Sequence, residues 1–169
     1  MITTLKTKYI DDSEKKKLYN KLCSNFAMNE LRSFKSQLKA FLHPEYRVSF
    51  ISIDNIGDAF SLWWDFSNFI FIEYIVVDTS LQRKGIGSLL LSDICSKNKT
   101  IILEVKKDSL KESFFKNNGF VYNSYCYEAI SLMQNIIPNK YIIYSYGNHL
   151  NEKEYLMFVE QIHKDEYQF

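Results

Sequence analysis

The chain has 169 residues, of which 46% are hydrophobic and 24% charged, and its formal net charge at pH 7 is +1. This length suits one domain with a substantial core, and the balanced charge excludes a protein that relies on a globally basic surface to bind nucleic acid or an anionic membrane. The three cysteines are far apart and odd in number, so neither a disulfide framework nor a zinc site is predicted.

The chain shows no pattern typical of export or membrane insertion. Its first 17 residues lack an apolar signal core followed by a small-residue cleavage site. The longest apolar run, residues 69–77, is interrupted by Glu73 and is too short to span a bilayer. We therefore predict a cytoplasmic protein with one domain over residues 1–169.

The first half of the chain predicts one strand, two helices and then a run of strands. The strand and the two helical patterns cover residues 2–10, 11–26 and 29–43. Three extended segments follow, over residues 46–53, 59–66 and 69–77. The short turns between them are typical of an antiparallel meander, and the third segment is apolar enough to be a central strand covered on both faces.

The second half alternates helices and strands. A helix begins at Gly85 to Gly87, and a buried strand follows over residues 100–107. Asp108 and Ser109 are expected to cap a further helix through Lys116, which Asn117, Asn118 and Gly119 close. The last elements are strands over residues 120–128 and 137–146 and an amphipathic helix opened by a capping box at Asn151 and Glu154. The predicted fold class is α/β with a mixed sheet: an antiparallel meander followed by strand–helix–strand–helix–strand.

Two of the five glycines stand one residue apart in YIVVDTSLQRKGIGSLLL, residues 74–91, between a strand and a helix. The first backbone N–H groups of a helix have no intrahelical partner, and the helix dipole adds partial positive charge there. Arg83 and Lys84 add formal charge at the same corner. The segment therefore predicts a cradle for a phosphate group.

Known phosphate motifs narrow this prediction. The segment lacks the GxxxxGK[ST] of a P-loop and the third glycine of a dinucleotide-binding GxGxxG, and its strand follows a meander rather than opening a βαβ unit. Gln82-Arg83-Lys84-Gly85-Ile86-Gly87 does match [Q/R]-x-x-G-x-[G/A]. With the strand before it and the helix after it, this stretch resembles the motif of the GCN5-related N-acetyltransferase (GNAT) family. DSLKESFFKNNGF, residues 108–120, resembles the family's N-x-x-A-x-x-x-Y-x-x-x-G-F segment.

This resemblance covers residues 45–127 and implies a GNAT-like fold, with central strands that splay apart to bind acetyl-CoA. The loop amides would hold the pyrophosphate, the pantetheine would pair along residues 75–77, and the backbone N–H near Val77 would polarise the thioester carbonyl. Asp108 stands where the family often has an asparagine, which is a departure because a carboxylate accepts but cannot donate. The residues assigned to the cofactor are Ile75, Val76, Val77, Gln82, Arg83, Lys84, Gly85, Ile86, Gly87, Ser88 and Asp108.

Acetyl transfer to an amine needs a base and can use an acid. Glu73 is the candidate base because a buried strand would not otherwise place a charge there; the alternative is an ion-paired structural glutamate. Glu104 interrupts the next strand similarly, and the sequence leaves open whether the two carboxylates share a face. Phe115 stands where the family usually has a tyrosine acid. The proton donor could instead be the hydroxyl of Tyr122, Tyr125 or Tyr127, or a water molecule. Of these we select Tyr122.

The predicted function is transfer of an acetyl group from acetyl-CoA to a primary amine, with a small molecule as acceptor and no metal. A protein or an aminoacyl-tRNA is an alternative acceptor, although near-neutral charge disfavours nucleic acid as a partner. Phe115 motivates a second function, a non-catalytic module that senses CoA or acyl-CoA. A dinucleotide-dependent oxidoreductase is a third. The sequence does not fix the oligomeric state, and a homodimer stays open.

Overall fold

The computed structural model describes residues 1–51, 56–125 and 141–165. Its strands are β1 Ile2–Lys6, β2 Tyr46–Ile51, β3 Ala59–Asp65, β4 Phe69–Val77, β5 Thr100–Lys106, β6 Phe120–Asn123 and β7 Tyr141–Tyr146. Its α-helices are α1 Asp12–Asn25, α2 Phe34–Leu42, α3 Ile86–Cys95, α4 Lys111–Asn117 and α5 Glu152–Asp165. No helix in these ranges is long and apolar enough to cross a membrane.

The strands form one mixed sheet in the order β1-β2-β3-β4-β5-β7-β6. Neighbouring strands are antiparallel except for β4 and β5, which are parallel and joined through α3. The predicted meander of β2, β3 and β4 and the strand–helix–strand–helix–strand order after it are therefore confirmed. A parallel pair requires a crossover connection, which places the loop before α3 at the carboxyl end of β4.

Apolar side chains cover the sheet on both faces. On the α1 face, Leu18, Phe41 and Phe158 bring α1, α2 and α5 against the strands. On the opposite α3 face, Leu91 and Phe115 do the same for α3 and α4. The adjacent indoles of Trp63 and Trp64 lie on different faces, as period-two alternation predicts.

Polar side chains fix where several helices begin. The Asp11 carboxylate accepts a hydrogen bond from Glu14 N at 2.9 Å, and Ser33 Oγ accepts one from Ser36 N at 3.2 Å. At α5 the predicted capping box is present: Asn151 Oδ1 accepts from Glu154 N at 3.0 Å, and Glu154 Oε2 accepts from Asn151 N at 2.9 Å.

Two predicted boundaries in the first half were wrong. Strand β1 ends at Lys6, because Thr7 turns inward and donates its hydroxyl to Phe41 O at 2.7 Å. Helix α2 begins at Phe34 rather than at Asn29, because the chain first makes a 3-10 turn at Met28–Glu30, in which the Glu30 carboxylate accepts from Ala27 N at 2.9 Å.

Two further predictions in the second half need adjustment. Asp108 and Ser109 do not cap α4 with their side chains: the residue before α4 is Leu110, and Asp108 N instead donates to the Glu112 carboxylate at 2.8 Å. The predicted strand over residues 120–128 is confirmed only as β6, which ends at Asn123, so residues 124 and 125 are not strand. The predicted strand over residues 137–146 is confirmed as β7. Residues 126–128 and 137–140 of the two predictions lie outside the described residues.

Candidate active site

An opening between β4 and β5 is the central feature of the site. The two strands pair in parallel only from Phe69 and Thr100 to Ile72 and Leu103. Glu73 follows directly and has no partner in the register with β3, so it is the extra residue of a β-bulge. Beyond it β4 stays paired with β3, while β5 pairs with β7, and the two central strands splay apart as the family resemblance implies.

The backbone of β4 presents polar groups to this opening. Asp78 N donates to Asp58 O at 2.9 Å on the β3 side. Because successive peptide groups of a strand point to alternate sides, the N–H groups of Val77 and Ile75 point toward the opening. Val77 O accepts a hydrogen bond from Gln82 Nε2 at 3.0 Å. The Val77 N–H therefore has the direction that a carbonyl-polarising donor needs.

At the end of β4, the loop exposes the first amides of α3. The first hydrogen bond of this helix runs from Leu89 N to Gly85 O at 3.0 Å, so the amides of residues 86–88 have no intrahelical acceptor. No side chain caps the helix at Gly85. Arg83 and Gly85 both have left-handed backbone, with φ of 60° and 77°, which curls the loop into a concavity suited to an anion.

The two glycines of the motif serve different purposes. Gly85 needs its left-handed backbone, and a Cβ built on it would meet nothing within 4 Å, so the space in front of the loop is open. A Cβ on Gly87 would lie 3.1 Å from Phe114 Cζ, because α4 packs directly against the start of α3. Gly87 thus permits close helix packing, and Gly85 forms the open side of the cradle.

Ionic contacts set the position of the loop. Asp78, the aspartate at the end of the apolar run, accepts two hydrogen bonds from Lys21 Nζ of α1, at 2.5 and 2.7 Å. Arg83 and Lys84 are exposed at the mouth of the cradle, where their charge is available to an anionic ligand.

The Glu73 carboxylate is buried, with its side chain 4% exposed, and it contacts three donors. Arg32 forms an ion pair with it, the Tyr46 hydroxyl donates to it, and Trp64 Nε1 donates at 3.3 Å. Burial and the neighbouring Glu73 charge raise the pKa of the Tyr46 hydroxyl well above its usual range. This arrangement matches the ion-paired alternative, because it fastens the chain between α1 and α2 to the bulge of β4.

The other predicted acid and base residues are distributed over both faces. Glu104 lies opposite Ile143, a residue of the core on the α1 face, so Glu73 and Glu104 share that face. Tyr122 is 45% exposed on the edge strand β6 and lies opposite Tyr144, whose side chain is buried on the α3 face. The structure therefore brings the two carboxylates to one side of the splay and leaves Tyr122 on the other.

The remaining aromatic candidates have structural contacts. Phe115 is 9% exposed, and its ring meets that of Phe120 edge-on at 5.9 Å. The Tyr125 hydroxyl donates to Leu150 O at 3.0 Å, and its ring stacks on Tyr155 at 4.0 Å. Tyr127 lies outside the described residues.

Several residues at the site were missed by sequence reasoning. Arg32 and Tyr46 come from a loop and from a strand far from Glu73 in the chain, and no local pattern marks them. Lys111 at the start of α4 reaches across to the Phe26 ring, 4.4 Å from its centroid. The departure from a regular apolar pattern at Glu73 was the one local signal that a polar cluster lay here.

Glu112 lies away from the splay, and its carboxyl makes the stability of the fold depend on pH. The hydrogen bond from the Tyr144 hydroxyl, at 2.8 Å, is the main cause that lowers the pKa of the Glu112 carboxyl below 4.5. A carboxyl whose folded-state pKa is depressed adds stability above its unfolded pKa and loses it as pH falls through the folded pKa. We expect Glu112→Gln to flatten the loss of stability below pH 4.5, as measured by urea unfolding at a series of pH values. The exposed control Glu160→Gln should keep the wild-type slope, and an unchanged slope in Glu112→Gln would contradict the assignment.

Among the described residues, no group of three or more histidine, cysteine, aspartate or glutamate side chains could hold a metal ion. The polar groups at the splay are instead backbone amides, a buried ion pair and exposed basic side chains. This composition suits an extended anionic ligand that lies along β4 and ends at the α3 amides.

Comparison with known proteins agrees with this geometry. The family model described as "Acetyltransferase (GNAT) family" matches residues 17–120, more than half of the chain. The Bacillus subtilis (strain 168) protein named "Putative acetyltransferase YjbC" is 27% identical over 155 residues, which cover 87% of this chain and 79% of that protein.

Solved structures match the fold. A GNAT-family protein from Bacteroides thetaiotaomicron superposes with a TM-score of 0.82 at 20% identity, covering 100% of this chain and 99% of that one. The Escherichia coli ribosomal-protein-S18-alanine N-acetyltransferase superposes with a TM-score of 0.63 at 16% identity, covering 90% and 97%. The family match, the splayed strands and the glycine loop lead to one conclusion: this chain belongs to the GNAT acetyltransferase family and is an acyltransferase.

Proposed function

We propose that the protein is an N-acetyltransferase that moves an acetyl group from acetyl-CoA to a primary amine, and that the acceptor is a small molecule. The observation that carries this proposal is the continuity of the open β4 edge with the uncapped start of α3. In an acyl-CoA, an extended pantetheine arm leads from the thioester to a diphosphate, so this ligand needs both features side by side.

The residues at the splay fit such a ligand. The amides of Ile86, Gly87 and Ser88, with the exposed side chains of Arg83 and Lys84, would hold the diphosphate. The open edge of β4 over residues 75–77 would offer its peptide groups to the amides of the pantetheine chain. Val76 belongs to this edge because it links Ile75 and Val77. When bound, acetyl-CoA supplies an acetyl group activated as a thioester.

Three features of the chain would contribute to transfer. The Val77 N–H would donate a hydrogen bond to the thioester carbonyl oxygen and stabilise the negative charge that develops there. The acceptor amine must lose a proton, and Glu73 and Glu104 lie on the face from which it would approach. Since Glu73 is held by three donors, we assign its share of proton removal to relay through water. With a phenyl ring at Phe115, the exposed Tyr122 hydroxyl, which lies on the same α3 face as that ring, would supply the proton for the departing thiolate, with water as the alternative donor.

Two assigned cofactor contacts have defined neighbours. Gln82 donates its side chain to Val77 O, so its role is to hold the loop against the end of β4. Asp108 follows β5 with a left-handed backbone, at φ of 62°, and is exposed beside the carboxyl end of that strand. We propose that Asp108 contacts the cofactor as an acceptor, in place of the family's amide.

The discriminating experiment measures release of free thiol from acetyl-CoA. The protein is incubated with a panel of polyamines, amino acids, peptides and aminoacyl-tRNA, and each acceptor is compared with buffer. We expect release with a small primary amine and only background release without one. Raised thermal stability with CoA but no thiol release on any acceptor would favour the sensor function instead, and release only with peptide or tRNA would overturn the small-molecule assignment. Stabilisation by NAD rather than CoA would favour an oxidoreductase.

A further inference from the structure

The side chain of Lys111 reaches from α4 to the end of α1. Lys111 begins α4, which follows β5, yet its ammonium lies over the ring of Phe26 at the end of α1, 4.4 Å from the ring centroid. The Phe26 ring in turn meets the Tyr74 ring edge-on at 5.1 Å. Tyr74 is the first β4 residue beyond the bulge, so the Phe26 ring that the ammonium covers packs where β4 and β5 part.

Glu30 is the acidic residue whose charge acts on this ammonium, at more than ion-pair distance. Its backbone carbonyl accepts from the Tyr74 hydroxyl at 3.0 Å, and its carboxylate accepts from the Tyr141 hydroxyl at 3.4 Å. These bonds hold Glu30 between β4 and β7, above the open part of β5. The Glu30 charge favours the protonated lysine and so opposes the desolvation that lowers the pKa of Lys111.

A ring face and a carboxylate are the groups that bind an ammonium ion. We propose that Phe26, Glu30 and Tyr74 form the binding site for the ammonium group of the acceptor, a primary alkylamine, and that Lys111 occupies this site until the acceptor displaces it. The inference rests on the proposed function, since it places the acceptor on the α1 face of the splay. The four methylenes of the lysine define the ligand class as an unbranched alkylamine.

The occupant must compete with the acceptor. If the site is available for only a tenth of the time, the apparent affinity for the acceptor falls about tenfold, and removing the internal ligand restores it. Lys111→Met removes the ammonium and keeps an unbranched apolar side chain of similar length. Lys153→Met on α5 removes the same charge from an exposed position and is the matched control.

The test is a titration of each protein without CoA, using n-butylamine as the probe and n-butanol as its uncharged counterpart, with backbone amide chemical shifts as the readout. We expect n-butylamine to bind Lys111→Met about tenfold more tightly than wild type or Lys153→Met, with shifts centred on Phe26, Glu30 and Tyr74. Adding Glu30→Gln to Lys111→Met should reverse the gain. The peptide Gly-Lys-Gly tests whether the site takes a lysine side chain of a protein instead of a free amine. We expect it to bind more weakly than n-butylamine; binding at least as tight would favour a protein lysine as the acceptor.

Equal affinity of wild type and Lys111→Met for n-butylamine, or equal binding of n-butanol, would overturn the inference. A parallel titration with CoA separates this failure from that of the proposed function. If CoA binds wild type and Lys111→Met alike while n-butylamine shows no gain, only the ammonium site is wrong. If CoA fails to bind wild type, the proposed function itself is contradicted.

Discussion

Gly85→Glu is expected to lower the affinity for CoA by at least about 100-fold, while the protein still folds. The new side chain would project into the open space in front of the α3 amides and bring a negative charge to the site of the diphosphate. Hydrogen bonds to a charged group contribute roughly 1.5–3 kcal/mol each, so losing two of them costs about 100-fold or more in affinity. Isothermal titration with CoA measures the loss.

Gly147→Glu is the matched control for this variant. Gly147 has nearly the same backbone as Gly85, with φ of 76° against 77°, and a Cβ on either residue would meet nothing within 4 Å. Each substitution therefore adds left-handed strain of about 1–2 kcal/mol. We expect both variants to lose similar thermal stability but only Gly85→Glu to lose CoA binding. Equal CoA affinity in the two variants would remove Gly85 from the site.

Glu73→Gln is expected to destabilise the protein by about 3 kcal/mol, because removing one partner of a buried ion pair leaves a charge in a medium that solvates it poorly. For a chain of this size, that corresponds to a fall in melting temperature of roughly 10 °C. The exposed change Glu160→Gln should alter stability by less than about 0.5 kcal/mol. Thermal unfolding followed by circular dichroism compares the three proteins.

The same variant distinguishes a positioning role of Glu73 from a role as base. We expect CoA affinity to persist and turnover to fall, because Glu73 fastens the chain from Phe26 to Arg32, which walls the splay. If Glu73 only positions this wall, the acceptor KM rises and the pH profile of kcat keeps its shape. Loss of the acidic limb of that profile would instead show that Glu73 takes the proton. Unaltered kinetics at every pH would exclude both roles.

The sequence predicted the parts of the site that depend on local chemistry. The loop between β4 and α3 follows from an apolar run, a basic pair and two glycines, all within one continuous stretch. The order of strands and helices was also predictable, because the hydrophobic period changes from 3.6 to 2 at Tyr46 and back again near Ile86. The start of α2 was misplaced because Leu31 continues the helical spacing, although it precedes the Ser33 cap.

Contacts between distant segments could not be predicted. The partners of Glu73 come from a loop and two other strands, and spacing along β4 carries no information about them. Glu73 and Glu104 share a face because the parallel register pairs Phe71 with Ile102, and neither strand's own sequence marks that register. The one-residue bulge at Glu73 shifts the alternation of β4 only beyond it, also without a marker residue. The separate purposes of Gly85 and Gly87 became visible only when α4 packed Phe114 against the second of them.

The most direct test of the central claim is a crystal structure with acetyl-CoA bound. We expect diphosphate oxygens within hydrogen-bond distance of the amides of residues 86–88, and an extended pantetheine chain beside residues 75–77, with the thioester carbonyl facing the Val77 N–H. Acetyl-CoA bound elsewhere, with the α3 amides in contact only with solvent and the splay empty, would contradict it.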